Sequence, residues 1–130
     1  MHTDHGRQVT NKAIVLEVLD RIFTRNDPTV LDEHPGLTET VKQISRRAAA
    51  FPDLTFQVEA VIAERDTVAY LARFKGTHLG VFAGVPATGR AIEYKAVGLD
   101  RLEGGRIVEH HATADYLGVL DQLGVLPLKT

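Results

Sequence analysis

The 130-residue chain contains no cysteine, which excludes disulfide bonds, zinc-thiolate and iron–sulfur sites, and catalysis by a thiol. It also lacks an excess of charge of either sign, because 15 basic and 17 acidic residues leave a net charge of −2. Such a balance provides no field that would attract a nucleic acid or an anionic membrane. We therefore expect neither of these as a partner.

Long apolar runs are absent as well. No stretch approaches the roughly 20 apolar residues of a membrane span, and the polar residues 1–8 lack the apolar segment of a secretory signal. These absences predict a cytoplasmic protein. A length of 130 residues with 44% hydrophobic content predicts a single domain over residues 10–130, preceded by a frayed N-terminus over residues 1–9.

The first part of the chain has the periodicity of helices. Apolar residues recur at helical spacing over residues 10–25 and again over residues 38–50. A turn or short helix over residues 28–33 separates the two segments. The charged residues of the second segment, among them Arg46 and Arg47, are expected on its solvent-exposed side.

Beyond residue 53 the pattern alternates between apolar and polar residues, which indicates strands. The predicted strands cover residues 54–62, 68–74, 91–102 and 106–113. The glycine-rich stretch 76–89 is expected to be a loop or an interrupted edge. Asp115 is placed to cap a last helix over residues 116–123. Helices, then an antiparallel meander of at least four strands, then one short helix define an α+β domain.

Five short motifs follow one another along the chain between about residues 10 and 127. They are Phe51-Pro52-Asp53-Leu54, Gly76-Thr77-His78 with Gly80 and Phe82, Gly84 to Arg90, Gly105 to His110, and Asp115 to Gly118 with Gln122 to Gly124. In this order and spacing they resemble the SnoaL-like polyketide cyclase family. The resemblance implies a cone-shaped, curved antiparallel sheet that encloses one cavity with the N-terminal helices, as in the nuclear-transport-factor-two-like superfamily. It also implies a homodimer or higher homo-oligomer formed through the outer face of the sheet.

The same resemblance implies an intramolecular aldol ring closure of a polyketide ester, without metal or cofactor, with an acidic residue as general acid/base. Asp115 fits that role best, although it could equally serve only as a helix cap. His111 and His78 are candidate assisting groups, because alternation places His111 on the face of Asp115 and glycines flank His78. By the same alternation His110 points the other way, and we expect it in packing or at a subunit interface.

Tyr94 and Asp100 share one face of the third predicted strand. If that face is turned inward, a phenol and a second acid would favour isomerase, hydratase or epoxide hydrolase chemistry. A non-catalytic, dimeric ligand-binding module is a further alternative. Phe23, Phe51 and Phe82 are expected in the core and, since a cone has a cavity, in the wall that contacts the substrate.

The run Glu109-His110-His111 invites comparison with a metal site. Adjacent residues of a strand point to opposite faces, however, and no third ligand has a fixed spacing. We therefore expect no metal. The expected ligand is a small, mostly apolar carbonyl compound.

Overall fold

A computed structural model describes residues 3–126 of the chain. The helices in this part are α1 (Thr3–Phe23), α2 (Val30–Glu33), α3 (Thr38–Ala50) and α4 (Tyr116–Gln122), with a 3-10 turn at Pro35–Leu37. The strands are β1 (Thr55–Glu64), β2 (Thr67–Thr77), β3 (Ala91–Glu103) and β4 (Arg106–Ala114). None of the helices described is long and apolar enough to cross a membrane.

The first helix begins earlier than hydrophobic periodicity predicts. Residues 3–9, expected to be frayed, belong to α1, while residues 1–2 lie outside the described part of the chain. An ion pair of 3.2 Å between Arg7 and Asp66 joins this first part of α1 to the turn between β1 and β2. Hydrophobic periodicity does not register a polar contact of this kind. It therefore does not predict the first residues of the helix.

The strands lie side by side in chain order, each antiparallel to the next, so the predicted meander is confirmed. Bulges at Glu59 in β1 and Val108 in β4 each insert a residue with no partner opposite. Bulges bend a strand and increase its twist. Among the described residues the sheet does not close, and β1 and β4 form its edges. The expected curved sheet covered by helices is confirmed.

The concave face of the sheet carries the core. In β2 and β3 every second residue turns inward and is largely buried, a pattern that includes Phe74 and Tyr94. Their rings stack with centroids 5.0 Å apart and planes 9° apart, and Phe23 of α1 meets Phe74 edge-on at 4.7 Å. Each large apolar side chain buried in this way stabilises the fold by about 1.5–3 kcal/mol.

Gly98 makes room for Tyr70 on this face. The two residues lie opposite each other in β3 and β2. A Cβ atom at Gly98 would lie 2.1 Å from the Tyr70 ring, so any side chain there would displace the phenol. The absence of a side chain at Gly98 therefore allows Tyr70 to cover the backbone of β3.

Candidate functional site

A pocket of about 420 Å³ lies between α1, α3 and the concave face of the sheet. Phe23, Phe74 and Tyr94 form part of its aromatic wall. Its exposed lining residues belong mainly to α3 and β4, so its mouth lies between these two elements. A partly polar, mostly apolar pocket of this size is typical of small-molecule sites.

A larger and more open groove, of about 750 Å³, runs along α1, α2 and the turn between β3 and β4. Two of the polar residues that line it, His34 and Arg106, hold elements of the fold together. The Nδ1 atom of His34 accepts a hydrogen bond from the Ile107 amide at 3.0 Å, and Arg106 donates to the Glu33 carbonyl at 3.0 Å. The smaller pocket is therefore the better candidate for chemistry.

Asp100 and His110 form a buried pair at the wall of the smaller pocket. Asp100 of β3 is only 2% exposed, and its Oδ1 atom accepts a hydrogen bond from Nδ1 of His110, which lies directly opposite in β4. A carboxylate only accepts hydrogen bonds, so Nδ1 of His110 is the donor in this pair, and in a neutral imidazole Nε2 is then the acceptor. His110 lines the pocket, and its ring is held in place by Asp100. The pair could therefore act as a base towards a molecule in the pocket.

This pair depends on the bulge at Val108. Regular alternation along β4 would place His111 on the inner face with Ile107 and would turn His110 outward. The extra residue reverses the two, since Leu102 pairs with Ile107 whereas Asp100 pairs with His110. His110 and His111 point to opposite faces, as predicted, but His111 does not share the inner face of Ile107, and its assisting role stays a prediction. The His111 side chain is 70% exposed, lies 3.4 Å from Glu109 and reaches only the rim of the pocket.

Asp115 is the N-cap of α4. Its Oδ1 atom accepts a hydrogen bond from the Gly118 amide at 2.9 Å, and the residue is exposed. Its neighbours Ala114 and Tyr116 line the pocket within the described chain, whereas Asp115 does not. The predicted cap is confirmed, and the acid/base role of Asp115 stays a prediction.

His78 is fully buried in the loop between β2 and β3. Its Nδ1 atom accepts a hydrogen bond from the Thr88 amide at 3.1 Å and lies 2.9 Å from the Thr88 hydroxyl, so it ties the two ends of the loop together. Neither His78 nor the neighbouring Phe51 and Phe82 lines the pocket. Their expected roles in catalysis and substrate contact stay predictions, whereas Phe23 is in the pocket wall.

Of the three tyrosines that line the pocket, Tyr70 and Tyr94 are buried. Tyr94 turns inward together with Asp100, as the alternation of β3 predicts. Tyr70 was not among the predicted site residues. Burial raises the pKa of both phenols well above the ordinary value of 10.0, and the charge of Asp100 adds to the shift at Tyr70. Both groups are therefore hydrogen-bond donors at neutral pH.

Arg47 brings a cation into the pocket from α3. Its guanidinium carbon lies 4.4 Å from the centre of the Phe23 ring, and its Nη2 atom is buried without a hydrogen-bond partner. Burial lowers the pKa of Arg47 from its ordinary value, although a guanidinium stays charged in proteins. The predicted solvent-exposed position is wrong. Arg47 follows Ile44 by three residues and precedes Phe51 by four, and this helical spacing is the signal that could have located it.

The expectation of a reaction without metal or cofactor stays a prediction. Within residues 3–126 no group of three or more histidine, aspartate or glutamate residues is arranged to hold a metal ion.

Fold and pocket together define a class: an α+β protein whose curved antiparallel sheet and helices surround an aromatic pocket, with a hydrogen-bonded aspartate–histidine pair at its wall. A family model described as SnoaL-like polyketide cyclase matches residues 7–123. The chain belongs to the SnoaL-like polyketide cyclase family.

Named relatives match the chain to different extents. Aklanonic acid methyl ester cyclase DnrD of Streptomyces peucetius is 43% identical over 49 residues, 38% of this chain, and the match spans 34% of that protein. AclR of Streptomyces galilaeus, described as a proposed hydroxylase, has a TM-score of 0.83 and 29% identity over 95% of this chain and 90% of its own. IdmH of Streptomyces antibioticus, described as a proposed polyketide cyclase, has a TM-score of 0.58 and 39% identity over 67% of this chain and 63% of its own.

Proposed function

We propose that this protein is a cofactor-free polyketide cyclase that closes a ring by an intramolecular aldol reaction, with His110 and Asp100 as its acid/base pair. The main support is the hydrogen bond from His110 to a nearly inaccessible carboxylate at the wall of an aromatic pocket. Family membership and the name of the DnrD relative support the reaction class. The ligand we propose is a small, mostly apolar carbonyl compound.

The first step is the removal of a proton from a carbon beside a carbonyl group. Nε2 of His110 takes the proton, and the Asp100 carboxylate stabilises the resulting imidazolium. The electron pair of the broken C–H bond forms an enolate, whose carbon attacks a second carbonyl carbon of the same ligand. The alkoxide formed with the new C–C bond takes the proton back from Nε2. Protons and electrons balance, so the step needs no co-reactant.

The enolate and alkoxide oxygens need hydrogen-bond donors. Tyr70 and Tyr94 can supply them, because burial raises the pKa of each and keeps the phenol protonated. Donors that are already oriented in a site with little water stabilise developing negative charge more strongly than water does. These residues therefore fit the charge that the proposed reaction generates.

Ring closure of aklanonic acid methyl ester, the compound in the name of the DnrD relative, provides the first assay. We expect Asp100→Asn to lower kcat/KM by about 100-fold or more, the usual contribution of general acid–base catalysis. The matched control is Asp121→Asn, which changes an exposed carboxylate on α4. Full activity in Asp100→Asn together with its loss in Asp115→Asn would assign the acid/base role to Asp115 and reject the proposed pair.

We also propose that the protein forms a homodimer through the convex face of the sheet. Ile62, Val97 and Leu99 on this face are 69%, 48% and 45% exposed, and Leu71 lies opposite Val97. Burying a contiguous apolar stripe of this kind favours association with a second copy. Analytical ultracentrifugation should show a dimer at micromolar concentration and a monomer for Leu99→Lys. A wild-type monomer under these conditions would contradict the proposal.

A further inference from the structure

The pocket contains a positive charge that the chain itself leaves unpaired. Within residues 3–126 the Arg47 guanidinium takes part in no ion pair and no hydrogen bond, and it lies over the Phe23 ring. A buried donor without a partner is unfavourable, and the Nη2 atom of this half-buried side chain is such a donor. Arg47 therefore occupies a position that a ligand could complete.

Arg21, by contrast, forms ion pairs with carboxylates of the chain. Arg21, whose side chain is 10% exposed, lies 2.7 Å from Glu33 and 3.1 Å from Asp27. Within the described chain no carboxylate approaches Arg47 in this way. The one acidic residue in the pocket lining, Glu39, is exposed and pairs with Lys42 at 3.1 Å.

The surroundings of Arg47 indicate the kind of ligand that fits. Arg47 lines the pocket together with two phenols, Tyr94 and Tyr116, and its guanidinium covers the Phe23 ring. A guanidinium is planar and matches a carboxylate through two parallel hydrogen bonds. The aromatic wall of the pocket suits an apolar, ring-containing body attached to that carboxylate.

We infer that the natural ligand of this pocket is an aromatic or polyketide-like acid whose free carboxylate is bound by Arg47. The inference depends on the proposed pocket being the ligand site. It separates this protein from the DnrD relative, whose name specifies a methyl ester. The carboxylate would hold the ligand at the α3 side of the pocket, while His110 faces it from β4.

Anthraquinone-2-carboxylate and its methyl ester provide the test, because they share a rigid ring system and differ in charge. Isothermal titration calorimetry on the wild-type protein at pH 7 should show the acid binding about 10- to 100-fold more tightly than the ester, as expected for hydrogen bonds to a charged group. Arg47→Met should abolish this preference, because binding of the acid weakens far more than binding of the ester. Arg47→Lys should retain part of the preference. The matched control, Arg46→Met, removes an exposed charge from the same helix and should retain all of it.

Equal binding of acid and ester by the wild-type protein would overturn the inference, as would a preference that survives in Arg47→Met. Failure of both compounds to bind would overturn it too. Circular dichroism establishes that Arg47→Met is folded before its binding is compared. The experiment measures binding and not turnover, so the acid ligand and the cyclase activity can be refuted independently of each other. Ring closure of the ester without an acid preference would leave the cyclase standing, and an acid preference without any turnover would leave the ligand class standing.

Discussion

Replacing Arg47 with methionine should make the ligand-free protein more stable. An unpartnered buried donor such as Nη2 costs about 1–3 kcal/mol. Removing the guanidinium from the Phe23 ring gives up about 0.5–2 kcal/mol, of which a methionine sulfur near the same ring recovers about 0.3–1.5 kcal/mol. The balance is an increase of about 1 kcal/mol in the free energy of unfolding, or about 4 °C in Tm for a domain of this size.

Urea denaturation monitored by far-UV circular dichroism measures this change directly. The control, Arg46→Met, alters an exposed position one residue away and should change the free energy of unfolding by less than about 0.5 kcal/mol. If Arg47→Met lowers the stability by about 1 kcal/mol or more, the arginine stabilises the ligand-free fold. In that case its unpaired charge is no sign of a missing ligand.

Three further predictions concern the stability of the fold. Gly98→Ala should cost about 1–3 kcal/mol in urea denaturation, because the new Cβ would lie 2.1 Å from the Tyr70 ring; unchanged stability would mean that the ring moves aside freely. Asp115→Ala should lower the stability by about 1 kcal/mol through loss of the α4 cap, and no loss would mean that the Gly118 amide finds another acceptor. Hydrogen bonds from Thr29 lower the pKa of Asp27 from 3.8 to about 2, so its contribution to stability is present above pH 4 and disappears as the pH falls towards 2. Asp27→Asn should therefore show a flatter loss of stability across this interval in pH-dependent denaturation, and curves parallel to the wild type would contradict the role of these bonds.

Local rules account for most of the fold. The change from helical to alternating periodicity places the end of α3 and the start of β1, and the aspartate before an apolar run marks the start of α4 at Asp115. The inward direction of Tyr94 and Asp100 follows from regular alternation, because the inner-face pattern of β3 holds from Ile92 to Leu102. These features depend on near neighbours in sequence, and so the sequence alone predicts them.

The site was harder to predict because it depends on two departures from regularity. The bulge at Val108 reverses the faces of His110 and His111, and a bulge is defined by pairing with another strand, which residue alternation does not register. Arg47 has a charge that favours an exposed assignment, although its helical position borders the apolar face of α3. The helical spacing of Arg47, considered before its charge, would have identified it as a residue of the pocket. The inward direction of His110 follows only from the pairing of β4 with β3.

The adjacent histidines of β4 offer the most direct test of the proposed acid/base pair. Ring closure of aklanonic acid methyl ester should be measured for His110→Gln and His111→Gln side by side, with folding checked by circular dichroism. Because His110 alone is bonded to Asp100, we expect kcat to fall about 100-fold or more in His110→Gln and to stay within a few-fold of the wild type in His111→Gln. The reverse order of effects, or an unchanged kcat in His110→Gln, would contradict the assignment of catalysis to this pair.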